Sequence, residues 1–168
     1  MQAFTFYSPT KIIFGKNAEE KTPEEMKEFG GNRILIVYGG GSIIRSGLLP
    51  RMEALLKEAD LPYALFGGVQ PNPLLSHAEK GVQEAVAFGA DFILAIGGGS
   101  VIDTAKAIAI GAANPDQVLW DFWEKKASPK RTLPVGAILT IPAAGSEMSD
   151  SAVLTNTELG SKRGLSGD

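Results

Sequence analysis

Cysteine is absent from this chain, and histidine occurs once, as His77. Without cysteine there is no disulfide and no thiolate metal site. A catalytic zinc or iron ion usually takes two or three imidazoles, sometimes with a carboxylate, so the histidines of this chain alone cannot build one. His77 reads as a solvent-facing residue at the helix start Ser76-His77, not as a ligand. Long apolar runs are missing too, since nothing approaches the roughly 20 residues that a bilayer requires. The opening "MQAFTFYSPTKIIFG" has neither the basic start nor the apolar stretch of a signal peptide. Basic residues are outnumbered, 16 against 19 acidic ones, for a net charge of −3, which argues against non-specific nucleic-acid binding. The expectation from these absences is a cytoplasmic protein with no membrane and no nucleic-acid partner.

What remains is ordinary globular material. The 168 residues, 44% hydrophobic and 21% charged, suffice for one domain with a real core. Phe4 to Phe14 alternates well enough for a β-hairpin, with the turn in "YSPT" at 7–10. Thr22-Pro23-Glu24-Glu25 reads as a helix start with Thr22 as cap, and that helix ends at Gly30-Gly31. Two continuous apolar runs, Ile34 to Tyr38 and Phe92 to Ile96, suit parallel strands covered on both faces. Helix-period segments follow them, near 45–58 and 101–112. Tyr63 to Phe66 is a weaker strand, Ser76 to Phe88 a helix stopped at Gly89, and Val135 to Ile141 a further strand. Residues 114–134 read as a surface excursion with a short helix. Strands alternating with helices predict an α/β fold, a mostly parallel, Rossmann-like sheet flanked by helices.

Both long strands run into the same four residues, Gly39-Gly40-Gly41-Ser42 and Gly97-Gly98-Gly99-Ser100. A helix that begins at a strand's carboxyl end offers unpaired N–H groups and partial positive charge. Glycine lets those groups approach a phosphate. A single such loop reads first as a helix cap, with Ser100 and Asp103 spaced as a capping box. Two of them in one sheet favour a dinucleotide, with Asp103 near a ribose or amide of the ligand. Neither triplet is G-x-G-x-x-G, and neither is a P-loop. The segment "TIPAAGSEMSDSAVLTN" at 140–156 reads either as a plain loop or as a wrap around the nicotinamide end.

Taken together, "IGGGSVIDTAKAIA" (96–109), "TIPAAGSEMSDSAV" (140–153) and "PNP" (71–73) resemble the iron-containing, group III alcohol dehydrogenases, on the butanol dehydrogenase and broad aldehyde reductase branch. The resemblance implies an N-terminal nucleotide-binding domain, here residues 1–168, and a C-terminal all-helical domain that carries one aspartate and three histidines for iron or zinc. The chain is expected to stop before those ligands, so it has no metal-binding and no catalytic residue of its own. By matching position, Gly97, Gly98, Gly99, Ser100 and Asp103 would hold the diphosphate region and Asn72 would lie near the adenosine half. Thr140, Ser149 and Lys162 would line the remainder. Many members carry threonine where this chain has Ala144. The implied reaction is hydride transfer between NAD(P)H and a primary alcohol or aldehyde, and the resemblance allows a homodimer. Relatives of the glycerol dehydrogenase or dehydroquinate synthase type, or a non-enzymatic nucleotide-binding module, are the alternatives. In the family an aspartate just after the first long strand favours NAD. Here Gly39, Gly40, Gly41 and Ser42 occupy that stretch, with Arg45 one turn on, either facing solvent or adding charge. NADP is therefore expected, with NAD as the alternative.

Overall fold

The computed structural model describes residues 8–166. Its centre is a four-stranded, all-parallel sheet in the order β2-β1-β3-β4. The strands are β1 (Ile34–Tyr38), β2 (Tyr63–Phe66), β3 (Phe92–Gly97) and β4 (Val135–Leu139). Ile34 stands opposite both Tyr63 and Phe92, and Ile93 stands opposite Val135. The chain therefore leaves β1 to one side for β2, then crosses back for β3. That reversal opens a crevice between the carboxyl ends of β1 and β3, where ligands of open α/β sheets bind.

The two central strands are apolar throughout because both faces are covered. Ile34 and Ile36 point to one face and Leu35 and Val37 to the other, and all four are fully buried, as period-two geometry requires. On the first face Leu94 and Ile96 join them, packed against Leu49, Met52 and Leu56 of helix α3 (Leu48–Glu58) and Met26 of α1 (Thr22–Glu28). On the second face, Ile93 and Ala95 meet Val101, Ile102, Ala105 and Ile108 of α5 (Gly99–Ala113). Helix α5 is apolar almost all round because it is covered on several sides. Helix α4 (Leu75–Phe88) lies along it so closely that a Cβ on Gly81 would clash with Ile108 Cδ1. No helix among the described residues is long and apolar enough to cross a membrane.

Several expectations need correction. Ser8 to Phe14 carries no strand; Lys11 ties it to α1 through Glu25 at 2.6 Å and Glu28 at 2.8 Å. The first arm of the expected hairpin lies outside the described residues. Thr22 makes no capping bond, because a 3₁₀ turn, Ala18–Lys21, runs straight into α1. The expected helix over 45–58 is two, α2 (Ser42–Arg45) and α3, parted at Gly47, whose φ of 75° is the left-handed conformation that ends a helix.

The segment after α5 is not a surface excursion. Its helix α6 (Leu119–Trp123) buries Leu119, Trp120, Phe122 and Trp123 against Leu75, Ala107, Ala152 and Leu154. The last two belong to β5 (Ser151–Asn156), which pairs antiparallel with β6 (Ser161–Ser166) in a separate hairpin. Residues 140–156 are therefore a loop only as far as Asp150. Trp123 Nε1 donates to Ala152 O at 3.0 Å, pinning that hairpin to α6. Trp123→Ala is expected to cost about 3–5 kcal/mol of stability, read from denaturant unfolding. A cost below about 1 kcal/mol would show that α6 packs only peripherally.

Candidate functional site: a cleft at the head of α5

At the carboxyl end of β3 the chain turns through Gly98 into the fifteen-residue helix α5, with Gly98 as its cap residue. Val101 and Ile102 both donate their N–H groups to Gly98 O, at 3.0 and 3.2 Å. No side chain among the described residues caps the helix. Among the described residues the N–H groups of Gly99 and Ser100 find no acceptor. The capping box expected from Ser100 and Asp103 does not form. Ser100 contributes its carbonyl to Thr104 Oγ1 at 2.8 Å, and Asp103 turns away to bond groups distant in sequence. The first turn of α5 is thus left uncapped and electropositive, which is the condition for holding an anion.

A cleft of about 290 Å³ opens onto this turn. It is lined by Gly99, Ser100 and Asp103 of α5, by Asn72 and Pro73, by Ala144 and Val153, and by Lys162. The turn at Asn72 follows β2, and its left-handed φ of 60° suits asparagine. Lys162, on β6, donates to Asn72 Oδ1 at 2.8 Å, bridging the mouth. Asp103 Oδ1 accepts from Ser146 Oγ at 2.6 Å and Oδ2 from the Val153 N–H at 3.2 Å. A carboxylate has about four acceptor positions, so both oxygens keep room for a ligand donor.

Of the residues singled out in the sequence, Asn72, Gly99, Ser100, Asp103 and Lys162 come together here. Gly97 and Gly98 lead into α5 without lining the cleft: Gly97 ends β3 and accepts the Thr140 N–H at 3.1 Å. Thr140 is exposed at the end of β4 and outside the lining. Ser149 is outside it too, with its Oγ 3.1 Å from Ser151 Oγ. Gly39, Gly40, Gly41 and Ser42 sit at the end of β1, beyond the cleft proper. There Gly39 O accepts the Gly68 N–H at 3.3 Å. Arg45 is exposed, but its guanidinium folds back over the turn, Nη1 lying 2.7 Å from where a Cβ on Gly41 would stand.

Lys106 is the residue that the sequence reading passed over. Its Nζ donates to Ser146 O at 2.6 Å, Ser149 O at 2.7 Å and Ser151 O at 2.9 Å. Burial pushes its pKa down, while Asp103, Asp150 and Glu147 pull it up. The available signal was its spacing: it follows Asp103 by three residues on one face of an otherwise apolar helix. His77 does not face solvent. Its ring packs on Phe66 at 4.6 Å, its Nε2 is buried without a partner among the described residues, and burial lowers its pKa.

The sequence model of the iron-containing alcohol dehydrogenases matches residues 9–168. The chain belongs to that family. Among the iron-containing alcohol dehydrogenases it is 49% identical to a probable NADH-dependent butanol dehydrogenase of Bacillus subtilis, over 98% of this chain and 42% of that protein. It is 38% identical to an NADPH-dependent aldehyde reductase of Escherichia coli, over 97% of this chain and 42% of that one. The crystal structure of NADH-dependent butanol dehydrogenase A from Thermotoga maritima superposes with a TM-score of 0.96 at 39% identity, covering all of this chain and 42% of that one. The chain thus spans about 42% of the length of these family members. The metal in the family's name has no fitting donor set here: among the described residues no group of three or more His, Cys, Asp or Glu is placed to hold a metal ion.

Proposed function

We propose that these residues are the cofactor-binding part of an enzyme that moves hydride between a nicotinamide dinucleotide and a primary alcohol or aldehyde. The observation that carries the reading is the uncapped first turn of α5, opening onto a cleft beside the β1–β3 reversal. The residues fit the group. The N–H groups of Gly99 and Ser100 would take the diphosphate, with Gly97 and Gly98 shaping the approach. Lys162 would add charge, and Asn72 and Asp103 would meet ribose or amide donors. Thr140 and Ser149, outside the cleft, would come into contact only with the nicotinamide end. The chemistry such a group supplies is hydride exchange with a carbonyl. The names of the relatives, butanol dehydrogenase and aldehyde reductase, support a short-chain alcohol or aldehyde as substrate.

Between NADH and NADPH the relatives' names divide. The turn after β1 carries no carboxylate to repel a 2′-phosphate, so NADPH is expected to be preferred over NADH. Calorimetric titration of each dinucleotide into the full-length protein, with assay of butanol oxidation, tests the reading; no binding of either one refutes it. The 168 residues by themselves are expected to bring no stoichiometric iron or zinc and to turn over no alcohol, because no metal-binding group gathers among the described residues. Metal analysis and assay of that chain check it, and a tightly held stoichiometric metal would overturn it.

A further inference from the structure

We infer that Lys106 is a positioning residue, which sets the wall of the cleft opposite the glycine turn in the shape that receives the dinucleotide. The inference rests on the cofactor reading of the cleft given above. Three main-chain carbonyls, those of Ser146, Ser149 and Ser151, converge on one ammonium at 2.6, 2.7 and 2.9 Å. An ammonium has three donors, so the match is complete. A guanidinium, being a flat fork, cannot serve three carbonyls converging from different directions. Ser146 Oγ at 3.3 Å and Ser149 Oγ at 3.4 Å complete the surround.

The clamp has a second jaw on the same helix face. Asp103 takes Ser146 Oγ and the Val153 N–H. Lysine and aspartate, three residues apart, together hold the chain at residues 146, 149, 151 and 153. The two wall residues that line the cleft, Ala144 and Val153, lie at or just outside the ends of that stretch. Without the ammonium, Ser149 O would lose its donor, and Ser146 O and Ser151 O would keep only long bonds from Ser149, at 3.4 to 3.5 Å. From Ser151 on, β5 is held by its pairing with β6, but before it the chain has only the short 3₁₀ turn Ser146–Met148, and Glu147 to Asp150 belong to none of the buried clusters. A lysine half-buried between Ala105 and Ala107, both fully buried, is an expensive choice for a helix that could pack with an apolar residue there. Holding the wall is the return on that choice.

The experiment compares Lys106→Met, Lys106→Gln and Lys106→Arg with wild type in the full-length protein, in two readouts. The first is amide hydrogen exchange without dinucleotide: in Lys106→Met, residues 146–153 are expected to exchange about tenfold faster or more, with β1 and β3 unchanged. The second is the dissociation constant for NADH and NADPH, expected to rise about tenfold or more, because a disordered wall must be ordered on binding. Lys106→Gln, with two donors on a shorter arm, is expected to fall between. Lys106→Arg, which keeps the charge without the geometry, is expected to recover only part of the affinity. If Lys106→Met does not fold, the same ordering is read from Lys106→Gln. Unchanged exchange overturns the clamp. Faster exchange with unchanged affinity overturns the positioning role and leaves a merely structural one. A wild type that binds neither dinucleotide overturns the cleft reading itself, and this inference with it.

Discussion

Gly99→Val is expected to abolish dinucleotide binding while leaving the fold in place. Gly99 opens α5, and the nearest atom to a Cβ built there is Ala144 Cβ at 3.4 Å, an ordinary contact. Its φ is not left-handed, so valine meets no backbone strain and costs only the modest helix penalty of a β-branched residue. The methyl groups would, however, occupy the space between Gly99 and Ala144, both of which line the cleft. They would stand over the free N–H groups of Gly99 and Ser100. Two charge-assisted bonds to a phosphate contribute about 3–6 kcal/mol together, two to four orders of magnitude in the dissociation constant. Titration of cofactor into wild type and variant, with a thermal melt of each, decides the matter, and equal affinities would reduce the turn to a helix start. Gly98→Val is the informative comparison. The one atom near a Cβ there is Ile141 Cβ at 4.0 Å, away from the lining, so a smaller loss is expected.

The central sheet was legible because its strands are covered on both faces. Ile34 to Val37 and Phe92 to Ile96 are buried without exception, and such runs can be read one residue at a time. Strand β5 was not. Its buried positions are Ala152, Leu154 and Asn156, a period-two pattern too short and too polar to stand out. Strand β6, "SKRGLS", has no apolar pattern at all; backbone pairing with β5 makes it a strand. Helix α6 was placed on the surface because its aromatic residues sit among charges in "DFWEKK". Their burial depends on β5, which the sequence reading did not contain.

The site divided along the same line. The free N–H groups of α5 follow from a local rule, a strand ending in glycines before a helix, and that rule points to Gly99 and Ser100. The capping box was also a local rule, and it lost to tertiary structure. Asp103 has partners 43 and 50 residues away, at Ser146 and Val153, better placed than its own first turn. Lys106 is the clearest case. Its three acceptors come from a loop whose path the sequence does not encode in any short window, so only the fold could bring them together.

Gly39→Asp is expected to lower the ratio of kcat/KM for NADPH to that for NADH by about a thousandfold. Position 39 is firmly held, since Tyr38 O accepts the Val69 N–H at 3.2 Å and Gly39 O the Gly68 N–H at 3.3 Å. A Cβ there would meet Val69 O at 3.4 Å and Val101 Cγ2 at 3.5 Å, so the aspartate can be accommodated. The turn lies at the carboxyl end of β1, on the near side of the crevice, where the adenosine ribose of a bound dinucleotide would rest. Gly40 beyond it has nothing within 4 Å of a built Cβ, which leaves room for a 2′-phosphate. A carboxylate placed about 4 Å from that phosphate would repel it by about 4 kcal/mol at the effective dielectric of a protein surface. The same carboxylate would accept the ribose hydroxyls of NADH. Arg45→Ala is the complementary test. Its guanidinium, folded over Gly41, faces the same space but is exposed to solvent, so its removal is expected to reduce the ratio by a smaller factor, about tenfold, that shrinks as salt is added. All ratios belong at one ionic strength. A ratio that neither substitution moves would place the ribose somewhere other than the end of β1.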